Sequence, residues 1–417
     1  MKKTEILRIE LDENGHLVIP AEVAAEYGLT EGALVRLQHS EGGFRIARST
    51  ASLARVYIEI TNQCNLNCST CMRNVWDEPM GHMDMVTFEK ILADIKGLDP
   101  LPGVFIGGYG EPLAHPQFLE MVAAVRQLGA QLEFITNGIL LSEEVVKTLV
   151  ELNVQRVWVS IDGATPSSYA DVRLGDELPL VTENLYRMQR IKINKSRSRP
   201  RLGIAFVAMK RNIQDLPDVI RLGKNVGADK FSISNLLPHT ADQKKEILYR
   251  RSMDDMELQP SRWSPEVILP RMDLNALTID IIDKVMKSNN LLNLARQPLK
   301  MAVDSCPFLE KGSLSIRWDG EISPCLPLLH THQSFLDDRL RINHANSFGN
   351  IKETDLLDIW QSSEYVQFRD RLQAFDFSFC TYCNSCDMAE SNLEDCFGND
   401  HPTCGGCLWA QGFIQCP

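Results

Sequence analysis

From Val56 onward the chain alternates short apolar or β-branched runs with longer amphipathic ones. The short runs are "VYIEIT" (56–61), "GVFIGG" (103–108), "QLEFIT" (131–136), "RVWVSI" (156–161), "LGIAFVA" (202–208) and "KFSISN" (230–235). Their length and their content of β-branched and aromatic residues predict strands. Between them, "MVTFEKILADIKGL", "PQFLEMVAAVRQLG", "SEEVVKTLVELN" and "LPDVIRLGKNVG" space apolar residues three and four apart, as helices with one buried face do. Six strand-then-helix units predict an α/β fold whose parallel sheet curls into a partial (β/α)6 TIM-type barrel. Periodicity alone leaves an open doubly wound sheet as the competing arrangement.

The flanks break this rhythm. In residues 1–50, "ILRIELDENGHLVIP" alternates like a strand pair around a turn at Asn14-Gly15, and Pro20 opens the short helix "PAEVAAEYGL". "LVRLQHSEGGFRIAR" then reads as a second hairpin, turning at Gly42-Gly43. On "DENGHLVIPAEV" and "YGLTEGALVRL" this unit is similar to AbrB/SpoVT-type swapped-hairpin modules, intertwined dimers best known for binding DNA. It carries six Lys/Arg against eight Asp/Glu and so lacks the basic face of a DNA reader; homodimerisation or partner docking is the expected role. After a barrel segment at 51–236, the pieces "DQKKEILYRRS" and "NALTIDIIDKVMKSN" predict a helical insertion across 237–305. From 306 to 417 the chain is loop-rich and reads as a separate C-terminal domain.

Composition changes this picture in one respect. With 417 residues, 44% hydrophobic and 24% charged, the chain has the make-up of a globular protein of two or more domains. No apolar run reaches membrane-spanning length, and "MKKTEILRIELDENGHL" has no apolar signal core, so a cytoplasmic location is expected. A formal net charge of −12 argues against nucleic acid and anionic membrane surfaces as partners. The departure is the twelve cysteines: three at 64–71, none from 72 to 305, and nine from 306 to 416. A disulfide scaffold would spread them; two concentrations point to metal ligation.

The first concentration, "TNQCNLNCSTCMRN", places Cys64, Cys68 and Cys71 at C-x3-C-x2-C spacing just beyond the first predicted strand. That is the end where parallel α/β barrels build their sites. Structural zinc wants four ligands, and His82 is the only near candidate for the fourth. Three thiolates instead suit an iron–sulfur cluster with one iron left open to a substrate.

This motif resembles the signature of the radical SAM superfamily. The residue before the third cysteine is often aromatic in that family and here is Thr70. "GGYGEPLAHPQF" (107–118) resembles its Gly-Gly-Glu-Pro loop, which by the resemblance receives the amino group of S-adenosylmethionine with Gly107, Gly108, Gly110 and Glu111. "FITNG" (134–138) and "VSIDGATPSSYADVRLG" (159–175) follow the third and fourth strands, and the second is similar to a stretch of SPASM-type members. The resemblance implies Asn137, Ser160 and Asp162 for the ribose hydroxyls and Arg173 for the methionine carboxylate. It also implies a [4Fe–4S] cluster on Cys64, Cys68 and Cys71, radical chemistry, and a reductant such as ferredoxin or flavodoxin.

The second concentration resembles a SPASM domain with two auxiliary [4Fe–4S] clusters. Its candidates are Cys306, Cys325, Cys380, Cys383, Cys386, Cys396, Cys404, Cys407 and Cys416, nine where two clusters need eight. C-x2-C-x2-C followed by a nine-residue gap departs from the usual SPASM block, so sequence does not allot them; paired C-x2-C motifs also suit zinc ribbons. With "SNLLPHT" to "EILY" (234–249) and "CFGNDHPTCGGCLWAQGFIQCP", the chain most resembles the tungsten cofactor oxidoreductase radical SAM maturases. The resemblance implies action on a tungsten-dependent aldehyde oxidoreductase or its pterin cofactor. Two rivals stand beside it: a peptide maturase forming thioether or C–C crosslinks, and a DNA-binding iron–sulfur regulator.

Overall fold

The computed structural model describes residues 13–14, 16–21, 24, 36–40, 43–47, 50–249, 266–269, 272–273, 275–287, 291–294, 306–336, 338–378, 380–382 and 386–417. Near the start, β1 (Arg36–Ser40) and β2 (Gly43–Ala47) form the expected second hairpin. Its register closes with Ser40 opposite Gly43, so Gly43 belongs to a strand. The Ala24 N–H donates to Pro20 O at 2.9 Å, a first helical turn. The first hairpin of the AbrB-like reading lies largely outside the described residues.

The six predicted strands are present as β3 (Arg55–Ile58), β4 (Gly103–Ile106), β5 (Leu132–Thr136), β6 (Arg156–Ser160), β7 (Arg201–Ala208) and β8 (Ala228–Asn235). Each pairs in parallel with the next in chain order. That order settles the choice the periodicity left open. A doubly wound sheet reverses its strand order at a switch point, whereas right-handed crossovers that never reverse put every helix on one face. The sheet then curls around its helix-free face. Ile135, Ser160, Ala205, Val207, Ser232 and Ser234 from that curved face line one cavity of about 330 Å³.

The helices form where the pattern placed them. Helix Met85–Ile95 buries Thr87, Phe88, Ile91, Leu92 and Ile95, and Asp84 caps it by accepting the Thr87 N–H at 2.7 Å. Ser142 caps helix Glu143–Glu151 by accepting the Val145 N–H.

Helices Pro166–Arg173 and Leu178–Asn194, between β6 and β7, are not singled out by the pattern, and two larger features also lie outside the sequence expectation. The 237–305 segment, expected to be a helical insertion, also contributes β9 (Glu266–Leu269) and β10 (Leu291–Leu294), which extend the sheet in parallel beyond β8 beside helix Ile279–Lys287. At the opposite edge the cysteine-rich tail supplies β11 (Ser313–Ile316), parallel to β3, and β12 (Ile322–Ser323), antiparallel to β11. The result is one ten-stranded sheet. A single core joins Val56 and Phe105 to Phe308, Leu314, Trp360 and Phe377, so a boundary drawn at residue 306 passes through shared packing. The tail adds a second hairpin, β13 (His332–Leu336) with β14 (Arg339–Asn343). Residues 409–417 return to the sheet, where Asn235 Nδ2 donates to Phe413 O and the Gln415 N–H to Ser234 Oγ. Among the described residues no helix is long and apolar enough to cross a membrane.

Candidate active site

Beyond β3 the chain folds back on itself before the cysteines. Asn62 bonds Pro79 O and the Gly81 N–H, while Thr61 Oγ1 donates to Gly81 O and accepts the Gln63 N–H. Cys64, Cys68 and Cys71 then all line the 330 Å³ cavity. Arg73 ties this loop together: its Nη2 donates to Leu66 O at 2.8 Å and its Nε to Cys71 Sγ at 3.2 Å. On the other side Arg173 Nη1 lies 3.6 Å from Cys68 Sγ. Burial pushes the Cys64 and Cys68 thiols above their usual range, and the arginines beside them pull the other way. Three soft donors facing one cavity, Cys68 buried and Cys64 and Cys71 half-buried, with a cation against two of the sulfurs, fit a thiolate-bound [4Fe–4S] cluster: iron would replace the protons that burial otherwise retains.

The loop after β4 closes on this one. The Glu111 N–H donates to Gln63 O at 2.8 Å. A Cβ at Gly110 would overlap the backbone oxygens of Thr61 and Gln63, and one at Gly108 the Glu59 carboxylate, so both positions require glycine. Gly107 packs on Ile135 and Phe105 below. Glu111 lines the cavity, but its oxygens are engaged within the protein, accepting Thr136 Oγ1–H and the Asn137 N–H at 2.7 Å and the Leu113 N–H at 3.1 Å. Burial still raises this carboxyl above its usual range.

The next two loops complete the wall. Asn137 Nδ2 donates to Asn65 Oδ1 at 2.7 Å, and Ser160 faces the cavity from the end of β6. Thr165 and Ser168 cap helix Pro166–Arg173 reciprocally, which sets Arg173 at its end. The Ser69 N–H and Oγ both bond Val172 O, fastening the cysteine loop to that helix. Asp162 is fully buried: Oδ1 accepts the Val207 N–H at 2.7 Å, and Oδ2 lies 2.5 Å from Arg173 Nη2. The carboxylate predicted for a ribose hydroxyl thus holds the arginine predicted for the methionine carboxylate. All the sequence candidates for this site except Gly107 line the same cavity.

Sequence reading missed several residues that line this cavity: Tyr109 within the glycine-rich loop itself, and His239, Trp409 and Gln415 from later in the chain. His239 has its backbone N–H bonded to Gln243 Oε1, its carbonyl to Gln333 Nε2, and its Nδ1 to Gln333 O at 3.2 Å. A carbonyl only accepts, so Nδ1 carries the hydrogen and the neutral ring keeps its lone pair on Nε2. Burial, the dominant cause, lowers His239 to about 4 and keeps it neutral. The quoted run "SNLLPHT" contained this histidine, but nothing local marks it apart from a core histidine.

The tail cysteines divide in space. Cys306, Cys325, Cys404 and Cys407 line a second, small cavity together with Arg341. Burial pushes Cys306 up to about 12, and the thiols raise one another further. Cys380 is buried, Cys386 half-buried and Cys396 exposed; Cys383 lies outside the described residues. Cys416 does not line that cavity, although its charge reaches Cys407; its Sγ accepts Trp409 Nε1–H at 3.3 Å. Trp409 and Leu237 line both cavities and form the wall between them.

Comparison with known proteins bears on most of the chain. Residues 58–223 match the model of the radical SAM superfamily, and residues 306–387 that of the SPASM iron–sulfur cluster-binding domain. The tungsten-containing aldehyde ferredoxin oxidoreductase cofactor-modifying protein of Pyrococcus furiosus is 34% identical over 366 residues, 87% of this chain and 96% of that protein. The AdoMet-dependent heme synthase of Methanosarcina barkeri is 28% identical, covering 75% of this chain and 83% of that one. Streptococcus suis SuiB bound to precursor peptide SuiA shares the fold, with a TM-score of 0.55, 16% identity and coverage of 80% and 70%.

Proposed function

The chain belongs to the radical SAM superfamily, in the family of the Pyrococcus cofactor-modifying protein, and from that premise we propose that it matures a tungsten-dependent oxidoreductase by modifying that enzyme's cofactor. It is a radical SAM enzyme that uses a [4Fe–4S] cluster and S-adenosylmethionine, with further iron–sulfur binding in its SPASM domain. When bound, the cluster and S-adenosylmethionine supply reductive cleavage to a 5′-deoxyadenosyl radical that abstracts hydrogen from the substrate.

One observation carries the site assignment: three thiols on the loop after β3 face a cavity lined also by the ends of the strands that follow. In this reading Cys64, Cys68 and Cys71 hold the cluster, and the Gly107–Glu111 backbone approaches the ligand where side chains would obstruct it. Arg173, oriented by Asp162, offers its guanidinium to the methionine carboxylate; Asn137 and Ser160 lie where ribose hydroxyls would be met. In the tail, Cys306, Cys325, Cys404 and Cys407 form one auxiliary ligand set, Cys380, Cys383, Cys386 and Cys396 the second, and Cys416 is the ninth cysteine. Residues 1–50 serve as a dimerising or docking module, ferredoxin or flavodoxin supplies electrons, and the setting is cytoplasmic.

The cofactor-modifying relative, aligned over nearly its whole length, favours a cofactor over a peptide as the substrate. The test is anaerobic reconstitution with iron and sulfide, then reduction with S-adenosylmethionine and a tungsten oxidoreductase. The expected products are 5′-deoxyadenosine and a mass change confined to the extracted cofactor. A mass change on the polypeptide would assign a peptide maturase instead. Persistent S-adenosylmethionine cleavage after changing Cys64, Cys68 and Cys71 to Ala would remove the site assignment.

A further inference from the structure

Tyr109, in the middle of the glycine-rich loop, is gripped by the tail from two sides. Its hydroxyl donates to Leu326 O at 3.2 Å, and its ring meets His330 edge-on with centroids 5.6 Å apart. Its backbone N–H donates to Glu59 Oε2 at 2.9 Å, while Glu59 Oε1 lies 2.8 Å from His330 Nε2. On its other nitrogen, Nδ1, His330 meets Glu78 Oε2; the second Glu78 oxygen accepts the Thr331 N–H at 2.8 Å. Trp76 covers the histidine ring at 4.2 Å, and the side chains of Glu59 and His330 are sealed from solvent.

Carboxylates accept and do not donate, so a histidine between two of them donates from both nitrogens and is an imidazolium. Burial opposes that charge, but the hydrogen bonds and charges of Glu59 and Glu78 outweigh it and carry His330 up to about 9. The other charged or titratable groups nearby are Arg317, 3.8 Å from Glu78, Tyr109, and His332, held neutral by burial.

We propose that His330 is a positioning residue for cofactor binding: from the tail it clamps Glu59 beneath Gly108 and against the Tyr109 N–H, setting the conformation in which the Gly107–Glu111 loop receives S-adenosylmethionine. The loop's shape thereby depends on docking of the auxiliary iron–sulfur domain. This rests on the role proposed above for that loop.

The test measures S-adenosylmethionine dissociation constants by equilibrium dialysis on the full reconstituted chain from pH 6.5 to 10, for wild type and His330→Gln. Wild-type affinity is expected to hold at neutral pH and fall as pH passes about 9. His330→Gln, with full iron content, should bind about tenfold more weakly at neutral pH, the net worth of one charge-assisted hydrogen bond, and lose the high-pH break. Should the variant lose iron, the wild-type profile decides alongside nitrogen-15 spectra of His330: an imidazolium titrating together with the affinity supports the clamp, and a neutral ring at pH 7.5 overturns it. Wild-type affinity and an unchanged profile in an iron-replete His330→Gln also overturn it. A wild-type protein that binds no S-adenosylmethionine overturns the loop assignment itself.

Discussion

Arg173 and Asp162, eleven positions apart in sequence, form a buried ion pair at 2.5 Å, and the same guanidinium reaches Cys68 Sγ at 3.6 Å. A cation held between a carboxylate and a cysteine thiol is fixed in place before any ligand arrives. Removing one partner of a buried pair leaves the other uncompensated, at a cost of about 3–5 kcal/mol. Asp162→Asn is therefore expected to lower the urea midpoint substantially and to weaken S-adenosylmethionine binding. Arg173→Lys should preserve stability better than affinity, because it keeps the charge but loses the planar fork. Unfolding curves and dialysis on the same preparations separate the two effects.

Two glycines provide a matched comparison. A methyl group at Gly110 would overlap two backbone oxygens that cannot move aside, whereas Gly97 has nothing within 4 Å. Gly110→Ala should cost at least about 2 kcal/mol or open the loop, with loss of S-adenosylmethionine binding. Gly97→Ala should be close to neutral in both assays. Equal behaviour of the two variants would contradict the close approach of the two loops.

Acid should loosen the tail hairpin. Burial lowers His239 and His332 to about 4, below the ordinary histidine value near 6.5. The unfolded chain therefore takes up protons first as pH falls, so the stability these residues contribute is intact above about 6.5 and lost progressively down to about 4. His239→Gln is expected to show a shallower loss of stability between those limits, read from urea midpoints at stepped pH. His330 runs the other way: its raised value makes its contribution full below about 6.5 and absent above about 9.

The small second cavity gathers four of the tail cysteines, Cys306, Cys325, Cys404 and Cys407, and so sorts the tail thiols into testable classes. Cys404→Ser should lose one cluster's iron, roughly a third of the total if three four-iron clusters are bound. Cys416→Ser should keep full iron, since its thiol is bonded to Trp409 and lies outside both proposed sets of four. Iron and sulfide assays on purified reconstituted protein check this; iron loss in Cys416→Ser would place that thiol among the ligands.

The sequence by itself determined the local elements and the donor chemistry. Strands at 55–58 through 228–235 follow from β-branched runs, and the C-x3-C-x2-C spacing brings three sulfurs onto one loop, because both depend on residues close in sequence. Only the tertiary structure decided what depends on distant partners. Ser313–Ile316 is as short as many loop segments, and only the open edge of β3 makes it part of the sheet. Glu59, Glu78 and His330 look like three unrelated polar residues until the fold brings them together, 271 positions apart at the widest, and seals Glu59 and His330 from solvent. Local physics fixes backbone shape and ligand type; desolvation and pairing across the fold decide which polar groups carry charge, and that information appears only when the chain is closed.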